Sequence, residues 1–481
     1  MQEQSGETTA PAREPKRSLL ERWRSRDHTR GSLLVSLVVL SLPSILTMAA
    51  GSGLFQLVDL RFLGQLGGDA VAAAGATNQT LRQIFFLAII GTSVASQMLV
   101  ARFVGEGRID RAEHVAGQTF VIGAGLSALG ALVGLLFAEP LVSLVARDPE
   151  VIALGAIYVR IAFALMFSMT LVQLGSSVLS GAGDTTTPML VTLLITPVSI
   201  AAEWVLAFGK LGFPALGIAG IALGAGIGGL WGVSFLLWAL LSGRCRVHLR
   251  WRHLWPDASA LLHIASFAWQ PALHIIARTT IVVFFMWLAG VLGGKVQAAY
   301  TIGLRIEMLA IMLAMSVGNA CATLVGQNLG AGLPKRSWRA VWVGYGMVAA
   351  LLWPMASVLF FFRHSMVSIF ATDPEVQQIA AEFLAFAAGI MLLYAFYFIT
   401  FRALQASGDM NAPMLIAIGS ALLVGAPLGY VLATQTGLGP TGMWIGYMAY
   451  VLTNTVVSTA YLFHYGFARA DHVTGRSAHR G

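Results

Sequence analysis

The sequence contains little charge and almost no cysteine. Charged residues make up 11% of its 481 residues, against about 25% in ordinary soluble domains. A chain of this length cannot bury its apolar side chains in water with so few charged groups, which excludes a soluble globular protein. The two cysteines, Cys245 and Cys321, lie in a polar connection and in an apolar run, so they give no disulfide and no metal framework.

Long apolar runs dominate the chain. Apolar residues make up 57% of it, and a run of about 20 such residues crosses the hydrocarbon core of a bilayer. The runs predict an all-α polytopic membrane protein with twelve transmembrane helices. They lie near 33–63, 78–104, 112–138, 151–180, 186–208, 217–242, 258–291, 300–328, 338–362, 376–404, 411–433 and 439–466.

Lys and Arg are distributed unevenly between the connections. With the N-terminus inside, the inside segments carry 19 of the 30 Lys and Arg, and the outside loops carry 4. This bias predicts that both termini lie in the cytoplasm. The net charge of +8 is mostly this topology signal, so we expect no nucleic acid partner. The basic connection at 244–257 is expected to be a solvated loop, with contact to anionic lipid headgroups as the alternative.

The two halves of the sequence repeat each other at one constant offset. The Asp-Pro-Glu-Val sequence at 148–151 recurs at 373–376, and the Gly-Asp pair at 183–184 recurs at 408–409. Two copies of a six-span unit predict two pseudo-twofold-related lobes in the same orientation, with a substrate path between them. The predicted parts are a cytoplasmic tail (1–30), an N-lobe (31–243), a basic cytoplasmic linker (244–257), a C-lobe (258–466) and a second cytoplasmic tail (467–481).

Motifs for nucleotide binding and catalysis are missing. None of the glycine-rich stretches continues into the Gly-Lys-Ser/Thr sequence that binds phosphates in P-loop proteins. We therefore expect neither an enzyme nor a cofactor, and an ion gradient rather than ATP as the energy source. H⁺ and Na⁺ are the candidate coupling ions.

Several segments, in this order and spacing, resemble the multidrug and toxic compound extrusion transporters. They are Val58-Asp59, Gly64-Gln65-Leu66-Gly67, Gly181-Ala182-Gly183-Asp184-Thr185, Pro188-Met189, the Gly-Leu-Arg-Ile-Glu sequence at 303–307 and the sequence at 325–332. The resemblance covers the whole chain apart from the tails. It implies an antiporter that expels organic, often cationic, drugs in exchange for Na⁺ or H⁺. It also implies a cation site in the N-lobe at Asp59, Tyr158, Ser199 and Glu203.

Reasoning from the residues leads to the same acids. Asp59 and Glu203 lie near the predicted outer ends of spans 1 and 5, and Ser199 lies one helical turn before Glu203. A carboxylate suits ion coupling because it is costly in lipid unless it is protonated, paired or ion-bound. For Asp59 the alternative is a structural pair with Arg61 or Arg82.

The site departs from the family pattern in two ways. The family more usually has Asn and Asp at the span 5 positions, where this chain has Ser199 and Glu203. A span 6 threonine of some members is Ala225 here, which removes one oxygen ligand for Na⁺. The departures favour H⁺ over Na⁺.

The second half places a basic residue where some members of the family have an acid. The two relevant positions are Arg278 in span 7, with His274 one turn earlier, and Tyr394 in span 10. Pairing with Glu307 is the favoured role for Arg278. Contact with an anionic substrate and repulsion of cationic drugs are the alternatives. His274 is more typical of a packing residue than of a proton relay. Candidates for lining a substrate cleft are Arg278, His274, Tyr394, Met166 and Phe163.

Together these features predict a cation-coupled antiporter, with H⁺ favoured, that exports amphipathic and mostly cationic drugs or metabolites by alternating access. We expect a monomer in a bacterial plasma (inner) membrane, with a small-molecule substrate and membrane lipid as its partners. A lipid-linked saccharide flippase of the same superfamily is the first alternative, and Arg278 and Arg82 are the residues that favour it. A channel or non-transporting receptor is the second, against which the tandem repeat argues.

Overall fold

The structure is a computed structural model that describes residues 26–76, 82–144, 146–243 and 245–467. For Arg82 it describes the main chain alone. The expectations that concern the Arg82 side chain, and those for the tails beyond 26–30 and 467, therefore lie outside the described residues.

The first half consists of helices joined by short connections. Its helices are α1 (Leu33–Met48), α2 (Gln56–Leu66), α3 (Gly68–Ala76), α4 (Arg82–Gly105), α5 (Ile109–Leu136), α6 (Ala138–Ser143), α7 (Pro149–Ala164), α8 (Met166–Ala182), α9 (Thr186–Phe208) and α10 (Ile218–Leu241). A π-helical segment, Ala49–Phe55, joins α1 to α2.

The second half follows a short linker that contains the 3₁₀ turn Trp251–Leu254. Its helices are α11 (Ala258–Leu292), α12 (Gly294–Gly330), α13 (Pro334–Ser368), α14 (Pro374–Ser407), α15 (Asn411–Gly419), α16 (Ala426–Thr434) and α17 (Pro440–Tyr465). A second π-helical segment, Ser420–Gly425, joins α15 to α16. The residues that the structure describes contain no strand.

These helices confirm the predicted all-α polytopic fold. In the described part of the chain ten helices are long and apolar enough to cross a membrane, and the bent pair α7–α8 makes an eleventh. The 26-residue helix α17 lies at the position of the twelfth predicted run. Most predicted runs differ from the observed helices by only a few residues at either end, because the apolar length of a span is read directly from its composition.

The two halves begin and end corresponding helices with the same residues. Asp148 and Asp373 accept hydrogen bonds from the main-chain N–H groups two residues later, at 2.9 Å each, which caps the first turns of α7 and α14. Gly183 and Gly408 end α8 and α14 with φ angles of 93° and 91°. Such angles favour glycine because it has no Cβ.

The fourth predicted span bends where no proline lies. α7 and α8 meet at an angle of 46°, and Leu165 between them has φ −94° and ψ 3°. The corresponding helix of the second half, α14, continues without a break. Pro43 and Pro354, which the sequence places inside the predicted runs 33–63 and 338–362, lie within helices.

Polar side chains join the two halves near the end of the bundle that carries the linker. Arg402 of α14 donates hydrogen bonds to Oε1 of Gln97 in α4 and to Oε1 of Gln405, at 2.6 Å each. Gln327 of α12 donates to the Gly181 carbonyl oxygen at 2.9 Å. The sequence places Arg402 near a cytoplasmic span end, and the structure shows it as a buried contact between the halves.

Candidate functional site

The first candidate site is built where α9 packs closely on α10. Glu203 and Ser199 of α9 are fully buried, and two glycines of α10 lie against them. A Cβ at Gly224 would lie 2.6 Å from Cγ of Glu203, and a Cβ at Gly228 would lie 1.8 Å from Oγ of Ser199. Only glycine permits this approach, so α10 provides the surface that covers both polar side chains.

Glu203 is buried without hydrogen-bond partners. In the part of the chain that the structure describes, neither of its carboxylate oxygens has a partner, nor does the Oγ of Ser199. Asp59 lies close enough to Glu203 for their charges to interact. A buried carboxyl group with no partner is costly when ionised. The site is therefore suited to a group that gains and loses a proton.

Asp59 and Tyr158 reach the same region from other helices. Asp59 is half-buried in the first turn of α2, and α2 packs against both α9 and α10. Tyr158 of α7 is buried in an apolar cluster with Leu63 of α2 and Ala222 of α10. The structure thus brings Asp59, Ser199 and Glu203 together and places Tyr158 in the cluster beside them.

A second buried acid lies in the other half. Glu307 of α12 is fully buried, and its Oε1 accepts hydrogen bonds from the hydroxyls of Tyr394 and Tyr447, the latter at 3.1 Å. We had expected Glu307 to pack structurally or to pair with Arg278. The two charges lie close enough to interact. Nevertheless, no direct ion pair joins them: both tyrosine hydroxyls bind Oε1, and Oε2 has no hydrogen-bond partner among the described residues.

Arg278 instead lines a small cavity. The cavity is enclosed by Arg278, Val282, Tyr394, Tyr397, Tyr447, Tyr450, Val451 and Asn454. Arg278 is half-buried, and its guanidinium carbon lies 5.8 Å from the ring centre of Phe398. Of the predicted cleft residues, Arg278 and Tyr394 share this cavity.

The other predicted cleft residues are packed. The His274 ring stacks on Phe401 with centres 4.2 Å apart, and its Nε2 lies 3.4 Å from the Tyr397 hydroxyl. Phe163 and Met166 fill apolar contacts with neighbouring helices. These three side chains lie in helix packing and do not line this cavity, so their place in a substrate cleft stays a prediction.

The Gly-Asp pairs at 183–184 and 408–409 lie near span ends, where the sequence predicts capping and loop hydrogen bonds. Asp184 accepts a hydrogen bond from the Thr187 main-chain N–H at 2.9 Å. Asp409 accepts one from the Ala412 main-chain N–H at 3.2 Å. Both carboxylates cap a following helix, which confirms capping and loop hydrogen bonds at these positions.

The sequence did not reveal that Tyr394 and Tyr447 donate hydrogen bonds to Glu307. Tyr394 and Tyr447 are 87 and 140 residues away along the chain, and nothing in a single sequence gives the rotation of one helix against another. A signal was present, since an acid within an apolar span needs a partner. The hydroxyl groups of α14 and α17 were the partners to consider.

A bundle of membrane-spanning helices, built in two matching halves with buried acids inside, defines a polytopic membrane transporter. The MatE family model matches residues 43–205 and 272–431, two segments that together cover most of the chain. The chain therefore belongs to the MatE family, the multidrug and toxic compound extrusion transporters.

Curated relatives match along most of their length. The chain is 29% identical to the multidrug resistance protein NorM of Burkholderia vietnamiensis, over 85% of this chain and 89% of the relative. It is 27% identical to the probable multidrug resistance protein YoeA of Bacillus subtilis, over 90% of this chain and 93% of the relative.

Solved structures show the same fold. A crystal structure of a MATE protein in its straight conformation matches with a TM-score of 0.82 and 22% identity, over 96% of this chain and all of that chain. A Pyrococcus furiosus transporter of the MOP superfamily, described as having a binding pocket of reverse polarity, matches with a TM-score of 0.82 and 21% identity, over 95% and 99% of the two chains.

Proposed function

We propose that the protein is an H⁺-coupled antiporter that exports amphipathic, mostly cationic drugs or metabolites. The observation that carries the proposal is Glu203, a fully buried carboxyl group whose oxygens have no hydrogen-bond partner among the described residues. The relatives named as multidrug resistance proteins support the substrate class.

The surroundings of Glu203 favour a proton over Na⁺. Na⁺ needs several oxygen ligands, whereas the α10 residues that lie against Glu203 and Ser199 are Gly224 and Gly228, which offer no side-chain oxygen. A proton needs only the carboxyl group itself and is stabilised by burial, which favours the neutral form. Asp59, whose charge reaches Glu203, strengthens that preference because two neighbouring carboxylates repel each other.

Alternating access requires that the contact between the halves opens. The hydrogen bonds from Arg402 to Gln97 and from Gln327 to Gly181 hold the halves together near the linker end. The excess of Lys and Arg at that end supports placing it in the cytoplasm of a bacterial cell. In this proposal protonation at Glu203 favours release of the drug on the opposite side.

Transport by reconstituted protein tests the proposal. Liposomes containing the protein are loaded with a fluorescent cationic dye, and a proton gradient or a sodium gradient is imposed separately. We expect the proton gradient to drive the dye, and Glu203→Gln and Asp59→Asn to abolish that movement. The matched control is Glu139→Gln, because Glu139 is an exposed acid that pairs with Arg160 at 2.9 Å.

Two outcomes would contradict the proposal. Dye movement driven by sodium alone would reassign the coupling ion, and full proton-driven transport by Glu203→Gln would remove Glu203 from the coupling site. The flippase alternative has less support, because a pyrophosphate calls for several cations and Arg278 is the single cation lining the described cavity.

A further inference from the structure

The cavity beside Glu307 holds a cation with unused hydrogen-bonding capacity. Arg278 lies within α11 and makes no hydrogen bond or ion pair with the described residues. The two tyrosine hydroxyls bind Oε1 of Glu307, and its Oε2 has no hydrogen-bond partner there. An arginine inside a membrane-spanning helix is costly and usually has a partner or a function. Its five N–H donors form a planar fork that fits a carboxylate with two parallel hydrogen bonds.

Two further donors on the same cavity also lack partners. The Tyr450 hydroxyl and the Asn454 side-chain nitrogen are buried and have no hydrogen-bond partner in the described chain. They lie one helical turn apart on α17 and close enough to interact with each other, yet neither donor meets an acceptor at full hydrogen-bond geometry. Buried donors without acceptors are expensive. Arg278, Tyr450 and Asn454 together therefore form a set of donors that an anion would satisfy.

The walls of the cavity are aromatic. The rings of Tyr394, Tyr397, Tyr447 and Tyr450 line it, and Phe398 lies under the guanidinium group. Aromatic walls favour flat, apolar ligands. The cavity is small, so it has room for the head of a ligand and not for a whole drug.

We propose that this cavity is an anion subsite that receives the carboxylate of an aromatic, amphipathic substrate. The inference rests on the proposed efflux function and narrows its substrate class, since it adds molecules with a carboxylate to those with a cationic group. Arg278 supplies the charge, and Tyr450 and Asn454 supply further donors to the carboxylate oxygens.

Equilibrium binding of a matched pair of dyes tests the subsite. One xanthene dye carries a free benzoate and the other is its methyl ester, so the two differ only in the carboxylate charge. Fluorescence polarisation gives the Kd of each dye for purified full-length protein in detergent, with no ion gradient. Variants are Arg278→Gln, Arg278→Lys and Tyr450→Phe, and a thermal melt verifies that each one is folded.

We expect Arg278→Gln to weaken binding of the free acid by at least about tenfold, the usual scale for loss of one partner of a buried charge pair. Binding of the ester should change by less than about twofold, since it lacks the charge that the guanidinium recognises. Arg278→Lys should retain part of the discrimination because it keeps the charge. Tyr450→Phe removes one hydrogen-bond donor, so it should weaken binding of the free acid and leave binding of the ester unchanged.

The ratio of the two affinities decides the result. An unchanged ratio in Arg278→Gln, whether both dyes weaken or neither does, would overturn the subsite, and so would a wild-type protein that does not bind the free acid. The measurement uses no gradient, so failed antiport does not affect it. Proton-driven transport together with an unchanged ratio would leave the proposed function standing and remove this inference alone.

Discussion

The two halves of the molecule share a framework and differ in the polar groups that they bury. The offset that places Asp148 on Asp373 also equates Asp59 with Phe284 and Glu203 with Leu428. The second half therefore lacks both acids of the first. In the opposite direction Arg278 is equivalent to Gly53, and Tyr394 to Met169. The duplication preserved helix packing while the acidic site and the arginine site arose in different halves.

The last helices of the two halves, α10 and α17, also differ in the side chains that they place against the buried polar groups. Gly217, before α10, has φ 55° and ψ −130°, and Gly439, before α17, has φ 54° and ψ −128°. We therefore treat these two glycines as equivalent positions and number both helices from them. In that register Ala225 corresponds to Tyr447, the partner of Glu307. Gly228, which lies against Ser199, corresponds to Tyr450. Small residues cover the acid of the first half, and tyrosines bind or surround the polar groups of the second.

The two buried acids consequently have opposite structural roles. Glu203 has no hydrogen-bond partner among the described residues, whereas Glu307 accepts two hydrogen bonds from tyrosines. An acid without partners lowers stability when it is charged, and an acid that satisfies buried donors adds to stability. The comparison supports the proposal that Glu203 couples the ion, and it favours a structural role for Glu307.

The largest expected effect comes from replacing each acid by leucine. Glu307→Leu leaves the Tyr394 and Tyr447 hydroxyls without their acceptor, which should cost about 2–5 kcal/mol of unfolding free energy. Glu203→Leu leaves no donor unsatisfied and relieves repulsion from Asp59, so its thermal midpoint should equal or exceed that of the wild type. Thermal unfolding of both variants in detergent measures the difference.

The critical observation is whether Glu307→Leu lowers the thermal midpoint while Glu203→Leu does not. A similar loss of stability in both variants would show that Glu203 has a structural role like that of Glu307, and the contrast between the halves would fail. In the same preparations Glu203→Leu should be unable to couple transport to a proton gradient.

A smaller effect, equal in the two halves, is expected at the glycines of the shared framework. A Cβ at Gly224 would lie 2.4 Å from the Glu203 main-chain nitrogen, and a Cβ at Gly446 would lie 2.3 Å from Cα of Gly429. Gly224→Ala and Gly446→Ala should each cost about 1–3 kcal/mol, because the backbone must move. The thermal midpoint of each variant measures this cost.

Gly125 of α5 provides the matched control, because a Cβ there would have no atom within 4 Å. Gly125→Ala should be neutral or stabilising by up to about 1 kcal/mol, since alanine favours a helix. If alanine were tolerated at Gly446 but not at Gly224, close helix packing would be required only around Glu203 and not throughout the shared framework.

Much of the fold was predictable because it follows from composition and local chemistry. The apolar runs gave the helices, and the repeated Asp148 and Asp373 begin corresponding helices as N-caps. The bend at Leu165 was not predictable, since no proline or glycine marks it and hydrophobicity does not report backbone angles.

The candidate site was predictable only in part. Acids within apolar spans are rare, so Asp59 and Glu203 could be found from the sequence, and the structure places them near each other. Arg278 and Glu307, the favoured pair, lie close enough for their charges to interact but form no direct ion pair in the described structure. Whether two side chains on different helices touch depends on how the helices rotate, and tyrosines from α14 and α17 reached Glu307 first.

A further effect, confined to mildly acidic solution, concerns two histidines that precede the first helix of each half. His28 and His253 are equivalent under the same offset that relates Asp148 to Asp373, and both are buried. His28 donates a hydrogen bond from Nε2 to the Gly183 carbonyl oxygen at 3.3 Å. The His253 ring accepts one from the neighbouring arginine side chain at 3.0 Å. Burial lowers the pKa of both, that of His28 to about 4.

Stability should therefore fall in mildly acidic solution, more through His28 than through His253. Burial disfavours the charged ring of His28, and Arg246 and Arg26 add to this effect, while the Gly183 hydrogen bond and Asp27 oppose it. Between about pH 6.5 and pH 4 the unfolded chain binds the proton that the folded chain refuses, so folding loses up to about 3 kcal/mol as the pH falls. Above that window the penalty is absent, and below it the penalty is constant.

The variants His28→Gln and His253→Gln, melted across this pH range, separate the two contributions. Glutamine keeps a donor for Gly183 and does not titrate, so the acid-induced fall should be smaller in His28→Gln than in the wild type. His253→Gln should differ less, because the charge of Glu113 opposes the effect of burial on the His253 pKa. Identical pH profiles for wild type and His28→Gln would show that His28 is accessible to water in the folded protein, and equal changes in both variants would remove this difference between the halves.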